Sequence, residues 1–153
     1  KKTKGEMANE CRNKDYLLIT MMISNSCSSP LKARWAKQAP QHCGYCVPCL
    51  IRRAAMHKAY GFQNDTTTYT INSIQEIIDA HAKKKGEQLR SFQFVINKVK
   101  KNPKLKNLYI HKSGRLDGDD AYLSELADVY YRGLVEVDDF IKAHLAAEEK
   151  EKK

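Results

Sequence analysis

The chain has 153 residues, 42% of them hydrophobic, and a formal charge of +9, which is enough for one ordinary domain with its own core and too little for two large ones. An odd number of cysteines behind a start, Lys1-Lys2-Thr3-Lys4-Gly5, that lacks the apolar core of a secretory signal argues against a disulfide framework. No apolar run approaches the ~20 residues of a membrane span, so a cytoplasmic protein with no membrane contact is expected.

Taken in chain order, Tyr16 to Ile23 is an apolar, helix-like stretch that begins almost at once, which suggests a piece of a longer protein. Ser24 to His42 holds Pro30, Pro40 and the lone Trp35, and is expected to be an irregular loop. Pro48 suits the first turn of a helix, continued by Leu50, Ile51, Ala54, Ala55 and Ala59 and stopped at Gly61. Ser73 reads as an N-cap with Glu76 completing a capping box, and Ile74, Ile77, Ile78 and His81 share a face of a helix expected to end near Gly86. Phe92, Val95, Ile96 and Val99 form the next stripe, halted before Asn102-Pro103, and Leu105 to Ile110 fits helix or strand equally. From Leu123 to Leu145 a sustained helical pattern, crossed only by Gly133, predicts one long helix or two that supply core.

The fold class expected is therefore mainly α, a small helical domain organised around Cys27, Cys43, Cys46 and Cys49, whose C-x15-C-x2-C-x2-C spacing suits a four-cysteine zinc site. Its divisions are a zinc-binding region over 1–61, a helical extension over 62–147 and a charged, solvated tail over 148–153.

Cys27, Cys43, Cys46 and Cys49 have the spacing C-x15-C-x2-C-x2-C, in which each short turn brings adjacent sulfurs to one ion and the long loop carries Cys27 back to it. Zinc suits four soft ligands with no open position, and closing the site would order a loop too poor in apolar residues to order itself. An iron–sulfur cluster matches the same ligand run, although no proline follows Cys49. Arg52 and Arg53, one turn into the helix, are candidates to offset the site's negative charge or to donate to the sulfurs; otherwise they are surface residues. His42 and His57 lie near enough in sequence to compete as ligands, with supporting or surface roles favoured, and Cys11 reads as a buried structural thiol.

Charge is unevenly placed. Nine basic residues between Lys83 and Lys106 face the single acid Glu87, and ten acids between Arg115 and Glu149 face three basic residues. This permits a nucleic-acid surface along Lys83–Lys106 or internal charge matching.

Ser26-Cys27-Ser28-Ser29-Pro30 and His42-Cys43-Gly44-Tyr45-Cys46-Val47-Pro48-Cys49-Leu50-Ile51-Arg52-Arg53 resemble the C-terminal zinc motif of the QueC family, the 7-cyano-7-deazaguanine synthases, and Thr3-Lys4-Gly5-Glu6-Met7 fits the same pattern. The likeness is greatest to QueC-like proteins of Qat-type anti-phage systems, covers residues 3 to 61, and fades beyond. It implies the C-terminal part of an AMP-forming ligase of queuosine-type deazapurine chemistry. ATP would bind a PP-loop in an N-terminal Rossmann-like domain that this sequence lacks. Partners would be that domain and other proteins of a Qat-type operon.

The nearest internal match to a PP-loop, Ser113-Gly114-Arg115-Leu116-Asp117-Gly118, places arginine where a phosphate cradle needs glycine and reads as a turn. No catalytic residue or ATP-binding residue is assigned to this chain. Two other readings are a zinc-containing nucleic-acid-binding module and a protein-docking module that uses the acidic C-terminal helix. Hydrolysis by a cysteine or serine nucleophile finds little support, since metal-bound thiolates are not free nucleophiles.

Overall fold

The computed structural model describes residues 1–61, 64–80 and 84–151. His81, Lys83, the side chain of Lys84 and the end of the tail at Lys152 and Lys153 lie outside the described residues. The helices are α1 (Lys4–Asn9), α2 (Lys14–Ile23), a 3₁₀ helix (Pro30–Ala36), α3 (Val47–Tyr60), α4 (Ile74–Asp79), α5 (Lys84–Lys101), α6 (Leu105–Tyr109) and α7 (Asp120–Glu151). Among the described residues the only extended pairing is an isolated parallel bridge between His42 and Tyr69, and no helix is long and apolar enough to cross a membrane.

One core is shared by the two regions divided at residue 61. Leu50 and Ala54 of α3 meet Ile74 and Ile77 of α4, Leu89, Ile96 and Val99 of α5, and Leu134, Val137, Phe140 and Ile141 of α7. Helical spacing in the sequence marks these positions, Leu89 excepted, and α3 buries more than one stripe, with Arg52, Arg53, Ala55 and Met56 also covered. The pattern over Leu123–Leu145 forms a single helix that runs through Gly133, yet its depth is uneven: Leu134, Val137, Phe140 and Ile141 are buried, whereas Leu123 and Leu126 are half-buried. The ambiguous segment is helical over Leu105–Tyr109, and the region Ser24–His42 contains the 3₁₀ helix at its centre.

Gly86 does not end a helix. Instead α4 stops at Asp79 and a new helix, α5, passes through Gly86. A Cβ there would lie 2.8 Å from the Ile77 carbonyl oxygen, so the glycine admits close approach between α5 and the end of α4.

The two chain ends are tied to the body. Thr3 caps α1 in a reciprocal box with Glu6, donates through Oγ1 to Glu136 of α7 at 2.5 Å, and Arg132 of α7 donates to Glu6 at 2.6 Å. Glu148, assigned above to a solvated tail, is instead part of α7. Its carboxylate accepts from Ile74 N at 2.8 Å, Gln75 N at 3.1 Å and Ser73 Oγ at 3.0 Å. Ser73 caps α4 by accepting from Glu76 N, while the donors of the first turn are taken by Glu148. Removing this carboxylate leaves those N–H groups without their acceptor. Glu148→Ala is expected to cost about 1–2 kcal/mol in urea unfolding, against within about 0.5 kcal/mol for the exposed neighbour Glu149→Ala.

Candidate metal centre

The site is built at the joint between an irregular loop and the first turn of α3. Cys46 is the N-cap of α3 and Pro48 lies in its first turn, a position that needs no N–H donor, so Cys49 comes round on the same end of the helix. Cys43 precedes the helix on a knuckle, and Cys27 arrives from the other end of the loop.

The four ligand atoms all lie within 4.8 Å of one another. Cys27 Sγ stands 3.9 Å from Cys46 Sγ, and Cys43 Sγ 3.9 Å from Cys49 Sγ. A tetrahedral ion with bonds of about 2.3 Å to sulfur requires sulfur separations of about 3.8 Å, so the four thiols could bind a metal ion with little rearrangement. Cys43, Cys46 and Cys49 are buried and Cys27 half-buried.

Backbone N–H groups point at the sulfurs: Ser29 N and Cys43 N at Cys27 Sγ, and Cys46 N at Cys43 Sγ, each at 3.4 Å. Such donors stabilise thiolate over thiol. The Cys43 thiol is pulled down, first by its hydrogen bond with Cys49, while the Cys49 thiol is pushed up by the same bond and by burial. Burial likewise raises Cys27. Burial also raises the Tyr45 hydroxyl, helped by the negative charge of the sulfurs.

Gly44 makes the knuckle possible. Its φ of +88° is left-handed, and a Cβ would fall 2.0 Å from the Ile71 carbonyl oxygen. The segment it presses on runs beside the knuckle, with Thr70 N donating to His42 O at 2.8 Å and Ile71 N to Cys43 O at 3.2 Å. A glycine inside a C-x2-C turn is a visible signal for such a conformation, but the backbone that abuts it comes from residues distant in sequence.

Both arginines are buried, at 5% and 2% exposure for Arg52 and Arg53. Their hydrogen bonds go to other oxygens than the site's sulfurs. Arg52 donates to Ser24 Oγ, Met21 O and Thr67 Oγ1. Arg53 donates to Gly44 O at 3.2 Å and to Asn72 O, and lies between the rings of Tyr69 and Phe140 at 4.9 and 5.0 Å. Burial pushes the Arg53 pKa down, countered by Tyr69 and Asp65.

His42 is buried with Nδ1 3.8 Å from Cys49 Sγ and Nε2 3.1 Å from Ser24 O, a position beside the sulfurs with the ring held by a backbone carbonyl. His57 is not brought to the site; it is half-buried against Phe140, and burial lowers its pKa. Cys11 is half-buried rather than buried, and its thiol donates to Asn13 O at the exposed end of α1.

Comparison with protein-family models, curated proteins and solved structures finds no match to this chain.

Gly44→Ala is expected to prevent the knuckle from seating against Ile71. Metal bound per chain after purification should fall to a small fraction of the parent's, whereas Gly133→Ala, with nothing within 4 Å of its Cβ, should retain metal and gain up to about 1 kcal/mol of stability.

Proposed function

We propose that this chain is the structural zinc-binding part of a larger QueC-like, ATP-dependent enzyme of deazapurine chemistry that serves anti-phage defence in a cytoplasmic compartment. The observation that carries the reading is the cluster of Cys27, Cys43, Cys46 and Cys49, four sulfurs within 4.8 Å of one another at the head of a buried helix. Four soft ligands with no open position suit zinc in a structural role, and a reducing compartment keeps such thiols available. The short sulfur separations favour one ion over a multi-iron cluster, whose ligands must surround several metal and sulfide atoms.

The exposed face of α2 supports attachment to a further domain. Tyr16, Ile19 and Ile23 share one side of the helix and are 65%, 60% and 83% exposed, with Met22 beside them at 56%. In this reading the PP-loop domain covers that face and binds ATP, and the zinc region braces it. The acidic rows of α7 are poorer candidates for docking other operon proteins. Asp128 is held by Lys106 at 2.5 Å, and Asp138 by Lys100 at 2.5 Å and Lys142 at 2.7 Å.

Two measurements test the proposal. Anaerobically purified protein should be colourless with about one zinc per chain, and Cys46→Ser should lose most of that metal and melt at a lower temperature; iron with a brown absorbance would replace zinc by a redox centre. The full-length product, given ATP and 7-carboxy-7-deazaguanine with and without ammonia, should release AMP, and its failure to do so under every condition would remove the enzymatic part of the reading.

A further inference from the structure

The Trp35 indole is 91% exposed, the most exposed large apolar side chain among those described, and it stands on the 3₁₀ helix Pro30–Ala36 among the exposed cations Lys32, Arg34 and Lys37. Beside it lies a groove of about 340 Å³ whose lining includes Trp35, Lys32, Tyr45, Thr70 and, from α5, Lys85. The Lys32 ammonium sits 5.8 Å from the centre of the Tyr45 ring.

This lobe is held in place despite its polar composition. Ala33 is 1% exposed and pins the 3₁₀ helix to the body, Gln41 N donates to Pro30 O, and the ends of the loop are the ligand residues Cys27 and Cys43. Trp35 is thus presented by a clamped segment, so stacking on it requires little further ordering.

The charge around it has one sign. From Tyr16 to Asn64 the sequence contains no Asp or Glu, and the nearest acid in sequence to Lys85 is Glu87. The richer basic run along α5 and α6 differs, because Lys100 and Lys106 are paired with Asp138 and Asp128 of α7, and Phe94 carries the Lys98 ammonium over its ring at 5.3 Å. Among the described residues Lys32, Arg34, Lys37 and Lys85 join no ion pair; Lys98, Lys101 and Lys104 of the α5–α6 run join none either, but the most exposed aromatic face, Trp35, stands at the 3₁₀ lobe. A flat π face amid unneutralised cations suits a ligand that offers a stackable base and an anionic backbone together.

We infer that the lobe formed by Lys32, Arg34, Trp35 and Lys37, with Tyr45 and Lys85 across the groove, binds single-stranded nucleic acid, an unpaired base stacking on Trp35 while the cations take adjacent phosphates. The inference is independent of the deazapurine reading, and it centres on the 3₁₀ lobe, sharing only Lys85 with a surface along Lys83–Lys106.

Trp35 is the only tryptophan, so its fluorescence reports on this site alone. Metal-loaded protein titrated at low salt with an oligothymidylate of about 12 nucleotides should show saturable quenching. The log of affinity should fall against the log of salt with a slope of about −2 to −3, as for three or four phosphates neutralised on a single strand. Trp35→Ala, followed by anisotropy of a labelled oligonucleotide, should bind about tenfold more weakly or worse. The combined Lys32→Glu, Arg34→Glu and Lys37→Glu variant should bind more weakly still. These side chains are exposed, so metal content and melting temperature should match the parent, and that match is the check on folding.

Absence of both quenching and anisotropy change in folded, metal-loaded protein would overturn the inference and leave the lobe as a protein contact. Undiminished binding by Trp35→Ala together with loss in Lys98→Glu/Lys101→Glu would overturn it in favour of the α5 strip. Equal affinity for a duplex of the same sequence would also overturn it, since a paired base cannot stack on Trp35.

Discussion

Four sulfurs gathered within 4.8 Å set the central constraint on this fold. As thiolates they would repel one another strongly in a buried site, and as thiols they leave weak donors packed together. A cation at their centre would remove the repulsion and close the x15 loop, a polar segment with little of its own to bury. The backbone is arranged for this: N–H groups of Ser29, Cys43 and Cys46 face the sulfurs, and the N-terminal end of α3 supplies Cys46 and Cys49.

Arg53 joins that site to the hydrophobic core. Its guanidinium binds the carbonyl of Gly44 inside the knuckle and that of Asn72 just before α4, and its faces lie against Tyr69 and Phe140. Planar geometry allows hydrogen bonds at the edge and ring contacts on the faces, which lysine could not reproduce. The same region receives the end of α7, where Glu148 caps α4. Metal knuckle, α4 and the last turns of α7 are therefore coupled through polar contacts that only a folded chain can assemble.

Charge is divided between internal and external uses. The basic α5–α6 segment and the acidic α7 neutralise each other in part through Lys100 with Asp138 and Lys106 with Asp128, and Lys142 pairs with Asp138 within α7. Such exposed pairs contribute little stability individually, but they decide which positive charge is left facing outward. The loop between Cys27 and Cys43 is also basic and carries the exposed Trp35 indole, so a metal ion that ordered this loop would present that surface as well.

The sequence by itself determined the helical class, the approximate stripes of α3, α5 and α7, the Ser73 cap and the four cysteines as a group, because periodicity, capping chemistry and short-range ligand spacing are local properties. Tertiary structure alone decided the rest. Gly86 resembles a helix stop but marks a close crossing of α5 past Ile77; Glu148 resembles tail and serves as a cap for a helix more than seventy residues earlier in the chain. Arg52 and Arg53 read as candidates to support the sulfurs or as surface cations, yet both are buried and donate to oxygens, Arg52 to the Met21 carbonyl at the end of α2 and Arg53 to those of Gly44 and Asn72. In each case the deciding partner lies in another element, and a residue's local pattern carries no information about which neighbouring backbone will need a donor, an acceptor or the space left by a missing Cβ.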